Sequence, residues 1–151
     1  MGQIKFIVKN VLNHCAQTAS YHLGKPICVP TMIHFAPTLR CNLRCKYCSI
    51  WREGNIGEEL SLEEWKKFLK DLHEWLGEAH IGITGGEPLL RKDIFEILKY
   101  MQKLGLKPSF TTNGILLTPE RSDHLKECGF KIGISYDGSA DITDRQRVNA
   151  M

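Results

Sequence analysis

Three cysteines crowd one short stretch, Cys41, Cys45 and Cys48, in the run Thr38-Leu-Arg-Cys-Asn-Leu-Arg-Cys-Lys-Tyr-Cys-Ser-Ile-Trp51. Thiolates are soft ligands suited to zinc or to iron–sulfur clusters. Structural zinc takes four protein ligands in a closed tetrahedron, and ordinary iron–sulfur clusters are also held by four cysteines. A C-x3-C-x2-C loop offers only three, which would leave one iron of a cluster open to a ligand that is not protein. The competing reading is a zinc site completed by His14, His34 or a distant cysteine, and the cluster of cysteines alone leaves both open. Arg40, Arg44 and Lys46 are either solvated loop charges or a counterweight to thiolate charge. Cys15, Cys28 and Cys128 lie apart, and burial in packing is the ordinary state of a free cysteine.

Three further segments carry residue types that can touch a ligand. In Thr84-Gly-Gly-Glu-Pro-Leu89, Gly85 and Gly86 would let backbone approach a ligand closely, and Glu87 supplies an acceptor for an ammonium group. By itself the segment also reads as a plain turn. Thr111-Thr-Asn-Gly114 contains an Asn-Gly turn around Asn113. Ser135-Tyr-Asp-Gly138 brings Ser135 and Asp137, followed by Asp144-Arg-Gln-Arg147, whose plain reading is a surface helix start with scattered charges.

The elements needed to position these segments are legible. Ile4, Ile7, Val8, Val11, Leu12, Cys15 and Ala19 fall at mostly helical spacing, which predicts an amphipathic helix over 2–23, ended by Gly24-Lys25-Pro26. Thr31 to Pro37 reads as a strand leading into the cysteine loop. Ser61-Leu-Glu-Glu64 is a capping box opening a helix with a Leu62, Trp65, Leu69, Leu72, Leu76 stripe. His80 to Thr84 is a second strand. Asp93 to Glu96 gives a second capping signal for a helix with Ile94, Ile97, Leu98, Met101 and Leu104 inward and Gly105 at its end. Pro108 to Thr112 is a third strand. Thr118-Pro119 starts a third crossover helix, with Gly129 beyond its end. Lys131 to Ser135 is a fourth strand, and a last helix begins near Asp141 or Asp144. Alternation of strand and helix predicts an α/β fold with a parallel sheet. Every chemistry-bearing segment then follows a strand end, the edge where such folds build their sites.

Composition narrows the function classes. The chain has 151 residues, 42% hydrophobic and 25% charged, with a formal net charge of +3. That supports a packed domain and gives no basic patch of the kind that marks a nucleic-acid binder. No transmembrane segment and no secretory signal are visible, so a cytoplasmic location is expected. A tight cysteine cluster in a reducing compartment points to metal before disulfides.

The cysteine spacing, the loop's place after the first predicted strand, and Tyr47 just before the third cysteine together resemble the radical S-adenosylmethionine (SAM) superfamily. Gly85-Gly86-Glu87 resembles its GGE motif, Thr111 to Gly114 its T-N-G turn, Ser135 to Gly138 its S-x-D-G segment and Asp144 to Arg147 the D-x-x-R that follows. The resemblance covers about 31–151. It implies that Cys41, Cys45 and Cys48 hold a [4Fe–4S] cluster whose open iron is chelated by SAM, and that an electron cleaves SAM to start hydrogen abstraction from a substrate. It further implies SAM contacts from Tyr47, Gly85, Gly86, Glu87, Asn113, Ser135 and Asp137, with Arg147, or Arg145 in second place, pairing the SAM carboxylate. The expected architecture is a partial parallel (β/α) barrel, truncated after about four strands, with an N-terminal helical extension over 1–29 and the core domain over 30–151. The helix is expected to pack against the barrel rather than lie on a membrane. The S-x-D-G segment leans toward peptide-maturing and cofactor-maturing branches. The expected partners are an unidentified peptide or small-molecule substrate and an electron donor such as a flavodoxin or ferredoxin. The alternatives are a zinc-binding module without enzymatic activity, or a fragment that binds a cluster but is inactive. Replacing Cys41, Cys45 or Cys48 with Ala is expected to abolish iron binding on reconstitution, whereas Cys15→Ala, Cys28→Ala and Cys128→Ala leave it intact. Iron analysis of the six variants checks this.

Overall fold

The computed structural model describes residues 2–30, 32–53, 57–77 and 79–148. In chain order the elements are α1 (Gly2–Leu23), β1 (Met32–Phe35), α2 (Ile50–Glu53), α3 (Leu62–Leu76), β2 (His80–Ile83), a 3-10 turn at Pro88–Leu90, α4 (Ile94–Lys103), β3 (Lys107–Thr112), α5 (Pro119–Glu127), β4 (Lys131–Ile134) and α6 (Ala140–Gln146). The four strands form one sheet in the order β1-β2-β3-β4, parallel throughout. Each crossover carries a helix, as parallel neighbours require. The alternating strand–helix pattern is therefore realised as a partial parallel α/β barrel.

Strand alternation divides the sheet into two unlike faces. Ile33, Phe35, Ile81, Ile83, Phe110 and Ile132 join the core or pack against it, meeting Trp65, Leu69, Leu72 and Leu76 of α3, Ile94, Ile97, Leu98 and Met101 of α4, and Leu125 of α5. The opposite face carries small or polar residues in register: His34 beside Gly82, Gly82 beside Ser109, Thr111 beside Gly133. The His34 ring lies so close over Gly82 that a Cβ there would come within 2.3 Å of Nδ1. The sheet turns one greasy face to the helices and one narrow, polar face inward.

Local signals explain most boundaries. Ser61 and Glu64 form the reciprocal capping box, a device of about 1 kcal/mol. Thr118 accepts from the Arg121 N–H, with Pro119 in the first turn of α5. Asp93 departs from expectation. It stands at the start of α4 but makes no side-chain cap bond, because both its carboxylate oxygens are taken by Arg91 at 2.9 and 2.7 Å. The short helix α2 and the 3-10 turn, each within a single turn, left no periodic signal to read. The N-terminal helix has the expected bounds but not the expected packing. Ile7, Val8, Val11 and Leu12 are exposed, and the helix is fastened to the segment that follows it through two hydrogen bonds between Asn13 and the Val29 backbone at 2.7 and 3.1 Å and one from Ile27 N–H to Ser20.

Leu69 is fully buried and Trp75, on the same helix, is 61% exposed. Leu69→Ala is expected to cost about 2–5 kcal/mol and Trp75→Ala less than about 1 kcal/mol, read by urea unfolding of the two variants.

Candidate functional site

The cysteine loop begins where β1 ends and is closed on both flanks by backbone hydrogen bonds. On one flank the Thr84, Gly86 and Glu87 N–H groups donate to the carbonyls of Phe35, Thr38 and Arg40, at 2.8, 2.9 and 2.8 Å. On the other, Lys46 N–H donates to the Gln146 carbonyl at 3.0 Å and Arg44 N–H to the Val148 carbonyl. The glycines make the first closure possible. A Cβ at Gly86 would sit 2.1 Å from the Arg40 carbonyl oxygen, and one at Gly85 2.7 Å from that of Thr38. Gly85 also has φ +106°, a conformation that L side chains rarely adopt. The sequence suggested that these glycines admit a ligand; here they admit the backbone of the cysteine loop.

Glu87 is nearly fully buried at 1% exposure. Its Oε1 accepts from Leu89 N–H at 3.1 Å and from the Thr112 hydroxyl at 2.8 Å, and its Oε2 from Asn113 N–H at 2.8 Å. The group expected to meet an ammonium is thus already engaged by three protein donors, and it joins the end of β2 to the end of β3. Asn113 passes the connection on, its Nδ2 donating to Asn42 Oδ1 at 2.8 Å within the cysteine loop. Ser135 N–H donates to the Thr112 carbonyl at 2.9 Å, which draws in the end of β4.

A cavity of about 180 Å³ lies above these strand ends, lined by Cys41, Cys45, Cys48, Tyr47, Gly85 to Glu87, Asn113, Ser135 and Arg147. Burial pushes the Cys41 thiol up, opposed by a Leu43 N–H that donates to its sulfur at 3.4 Å. Burial likewise raises Cys45, opposed by the charge of Arg147. Metal binding here would have to displace protons. At the rim, Asp137 accepts from Tyr47 hydroxyl on Oδ2 and from Arg147 Nη2 on Oδ1, both at 2.8 Å. The Arg147 hydrogen bond holds the Asp137 carboxyl below the usual carboxylate range. Desolvation of the Tyr47 hydroxyl and its bond to Asp137 push that group up to about 12. The Arg147 guanidinium lies 5.8 Å from the Tyr47 ring centroid. Among the described residues its buried Nε has no hydrogen-bond partner, a condition that costs about 1–3 kcal/mol when left unsatisfied. Soft sulfur donors and an arginine lining one cavity fit a thiolate-held cluster with an anionic ligand beside it.

Comparison with known proteins agrees with this donor set. Residues 35–149 match the family described as the radical SAM superfamily. The chain belongs to the radical SAM superfamily. It is 38% identical over 120 residues to the PqqA peptide cyclase of Bradyrhizobium diazoefficiens, covering 78% of this chain and 31% of that protein. It is 37% identical over 125 residues to the Fe-coproporphyrin III synthase of Methanosarcina barkeri, covering 82% and 30%. Among solved structures it resembles the tagged enzyme anSMEcpe with bound AdoMet, with a TM-score of 0.71 and 25% identity over 81% of this chain and 36% of that one. BtrN in complex with AdoMet and 2-DOIA gives 0.65 and 25% over 74% and 48%. The chain spans about a third of the length of these curated relatives.

Set in this family, the remaining expected residues divide. Arg147 reaches the cavity; Arg145 faces solvent and bonds the Asp141 carbonyl of its own helix at 2.9 Å. Arg40 does not face the cysteines but forks onto Glu59 at 2.8 and 3.0 Å. Arg44 donates to the Cys41 carbonyl at 3.0 Å and lies 5.0 Å from the Trp51 ring centroid. Cys128 is buried in the core and Cys28 half-buried near Ser20, whereas Cys15 is exposed rather than packed. Among the described residues no three His, Cys, Asp or Glu side chains converge as they would around a single ion. The zinc reading therefore finds no support here. Cysteines bound to different irons of a cluster stand further apart than ligands of one ion.

Sequence reasoning missed a buried brace beneath the loop. Arg91, only 6% exposed, donates to the Pro37 carbonyl at 3.0 Å and the Leu60 carbonyl at 2.9 Å while pairing Asp93. Glu59 accepts from the Thr38 hydroxyl and Arg40 and lies 3.5 Å from Arg91. Burial works to raise its carboxyl, but these bonds and charges hold it below the usual range. The signal available was Arg91 itself, a charged residue directly after an apolar Pro-Leu-Leu run. Gly86→Ala is expected to cost at least about 2 kcal/mol and to reduce iron uptake on reconstitution. Gly133→Ala, whose added Cβ meets nothing nearer than 3.8 Å, leaves both unchanged. Thermal unfolding of the metal-free chain and iron analysis test the pair.

Proposed function

We propose that this chain is the cofactor-binding front of a radical SAM enzyme, in which Cys41, Cys45 and Cys48 hold a [4Fe–4S] cluster and SAM completes its open iron. The observation that carries the reading is the meeting of the three cysteines and Arg147 on one cavity. The cluster and SAM together supply one-electron reductive cleavage of the sulfonium, which begins hydrogen abstraction from a substrate. The protein's own residues do the holding. Arg147, oriented by Asp137, offers a fixed cationic donor to the SAM carboxylate. Glu87, held in place by its three protein donors and with a lone pair of Oε2 beyond its bond to Asn113, would receive the amino group. Tyr47, tethered to Asp137, covers the solvent side and limits water. Gly85, Gly86, Asn113 and Ser135 form the floor.

On this reading residues 30–151 form the core and 1–29 an extension. The substrate is a peptide or small molecule, with peptides favoured by the PqqA peptide cyclase relative and by anSMEcpe structures bound to peptides. Electrons would come from a flavodoxin or ferredoxin. No helix among the described residues is long and apolar enough to cross a membrane.

Electron paramagnetic resonance of the anaerobically reconstituted, reduced chain tests the proposal. A cluster signal that changes on adding SAM is expected, and Arg147→Ala is expected to weaken the SAM response by about tenfold in concentration while leaving the cluster signal itself. A cluster indifferent to SAM would favour the inactive-fragment reading; bound zinc without a cluster would remove the proposal.

A further inference from the structure

The helix α1 presents an apolar stripe to solvent with its polar side turned to the protein. Ile7, Val8, Val11 and Leu12 are 59, 50, 58 and 64% exposed, and Cys15 beside them is exposed. At about 100° per residue these five positions share one face. Asn13 and Ser20 fall nearly opposite, and they fasten the helix: Asn13 to both backbone groups of Val29, and Ser20 by accepting from Ile27 N–H at 3.0 Å. The attachment itself therefore aims the stripe outward.

Charge decides what could cover it. Residues 1–30 contain Lys5, Lys9 and Lys25 and no aspartate, glutamate or arginine. Of the chain's 20 basic residues these three are the excess, since 17 basic and 17 acidic residues remain beyond residue 30. The whole formal charge of +3 thus resides in the helical segment. At helical spacing Lys5 follows Leu12 at the edge of the stripe and Lys9 lies further round, toward Ser20. A second copy of the segment would bring like charges together, whereas an anionic bilayer answers both the apolar face and the lysines. The helix does not have the apolar length to cross.

We propose that α1 is an in-plane anchor that docks this protein on anionic lipid surfaces, with the Ile7–Cys15 face in the acyl boundary and the lysines at the headgroups. The consequence is a site held at a membrane, which favours substrates that are lipid-borne or delivered there.

Co-sedimentation of the full 151-residue chain with vesicles of phosphatidylcholine and phosphatidylglycerol in equal parts tests this. Binding is expected, falling with added salt, weak on phosphatidylcholine alone, and reduced by about tenfold or more in Val11→Glu/Leu12→Glu. Because both side chains are exposed, that variant is expected to keep its circular dichroism and thermal midpoint, and its cluster signal. Lys5→Glu/Lys9→Glu, which spares the stripe, should lower the affinity for anionic vesicles alone. Absence of vesicle binding, binding that the double glutamate variant retains, or a concentration-dependent dimer that the variant abolishes would each overturn the proposal.

Discussion

The whole site depends on two backbones touching. The Gly86 N–H reaches the Thr38 carbonyl and the Glu87 N–H that of Arg40 only because no side chain intervenes. That closure extends the β1–β2 pairing past the end of the strands, so the cysteine loop is in effect a continuation of the sheet. A loop of this kind pays its ordering entropy partly through hydrogen bonds that a sheet would make anyway. Cysteine positions then inherit the rigidity of the scaffold, which is what a site must have to hold its ligands within narrow limits.

From this closure the rest of the network follows. Once Glu87 is fixed by its backbone, its carboxylate lies under the strand ends, where it collects Leu89, Thr112 and Asn113. Asn113 in turn reaches Asn42, so the loop is tied to β3 as well as β2. The Arg91–Glu59–Arg40 brace supports it from below. On the far side the Gln146 and Val148 carbonyls hold Lys46 and Arg44, and the residue between them is Arg147. The same short stretch therefore closes the loop and delivers the cation to the cavity.

The fold was readable because its signals are local and periodic. The α3 stripe from Leu62 to Leu76, the Ser61 capping box and the Thr118-Pro119 start each determine an element without help from distant residues. The cysteine loop was readable because its chemistry is written in residue type and spacing. What escaped was relational. Nothing near Gly85 says whether its neighbour is a ligand or a backbone. Asp93 has the type and position of a cap, yet a two-pronged arginine two residues earlier outcompetes one backbone N–H for it. Asn42 and Thr112 are ordinary loop and strand residues until the tertiary structure sets Glu87 and Asn113 beside them. The helix α1 was read correctly as amphipathic, but periodicity gives a face and no partner, and the attachment through Asn13 is what turns that face outward.

The glycine closure alters how loss-of-function variants would sort. If the three cysteines hold the cluster as proposed, a genetic screen for chains lacking iron would return Gly85 and Gly86 beside them, although neither glycine would offer a donor atom to the metal. The two groups differ in when they fail. Cysteine variants would then make a folded polypeptide that waits without its cluster, while glycine variants would be destabilised before any metal is met. Chaperone dependence and proteolytic turnover, rather than spectroscopy, would tell the two classes apart.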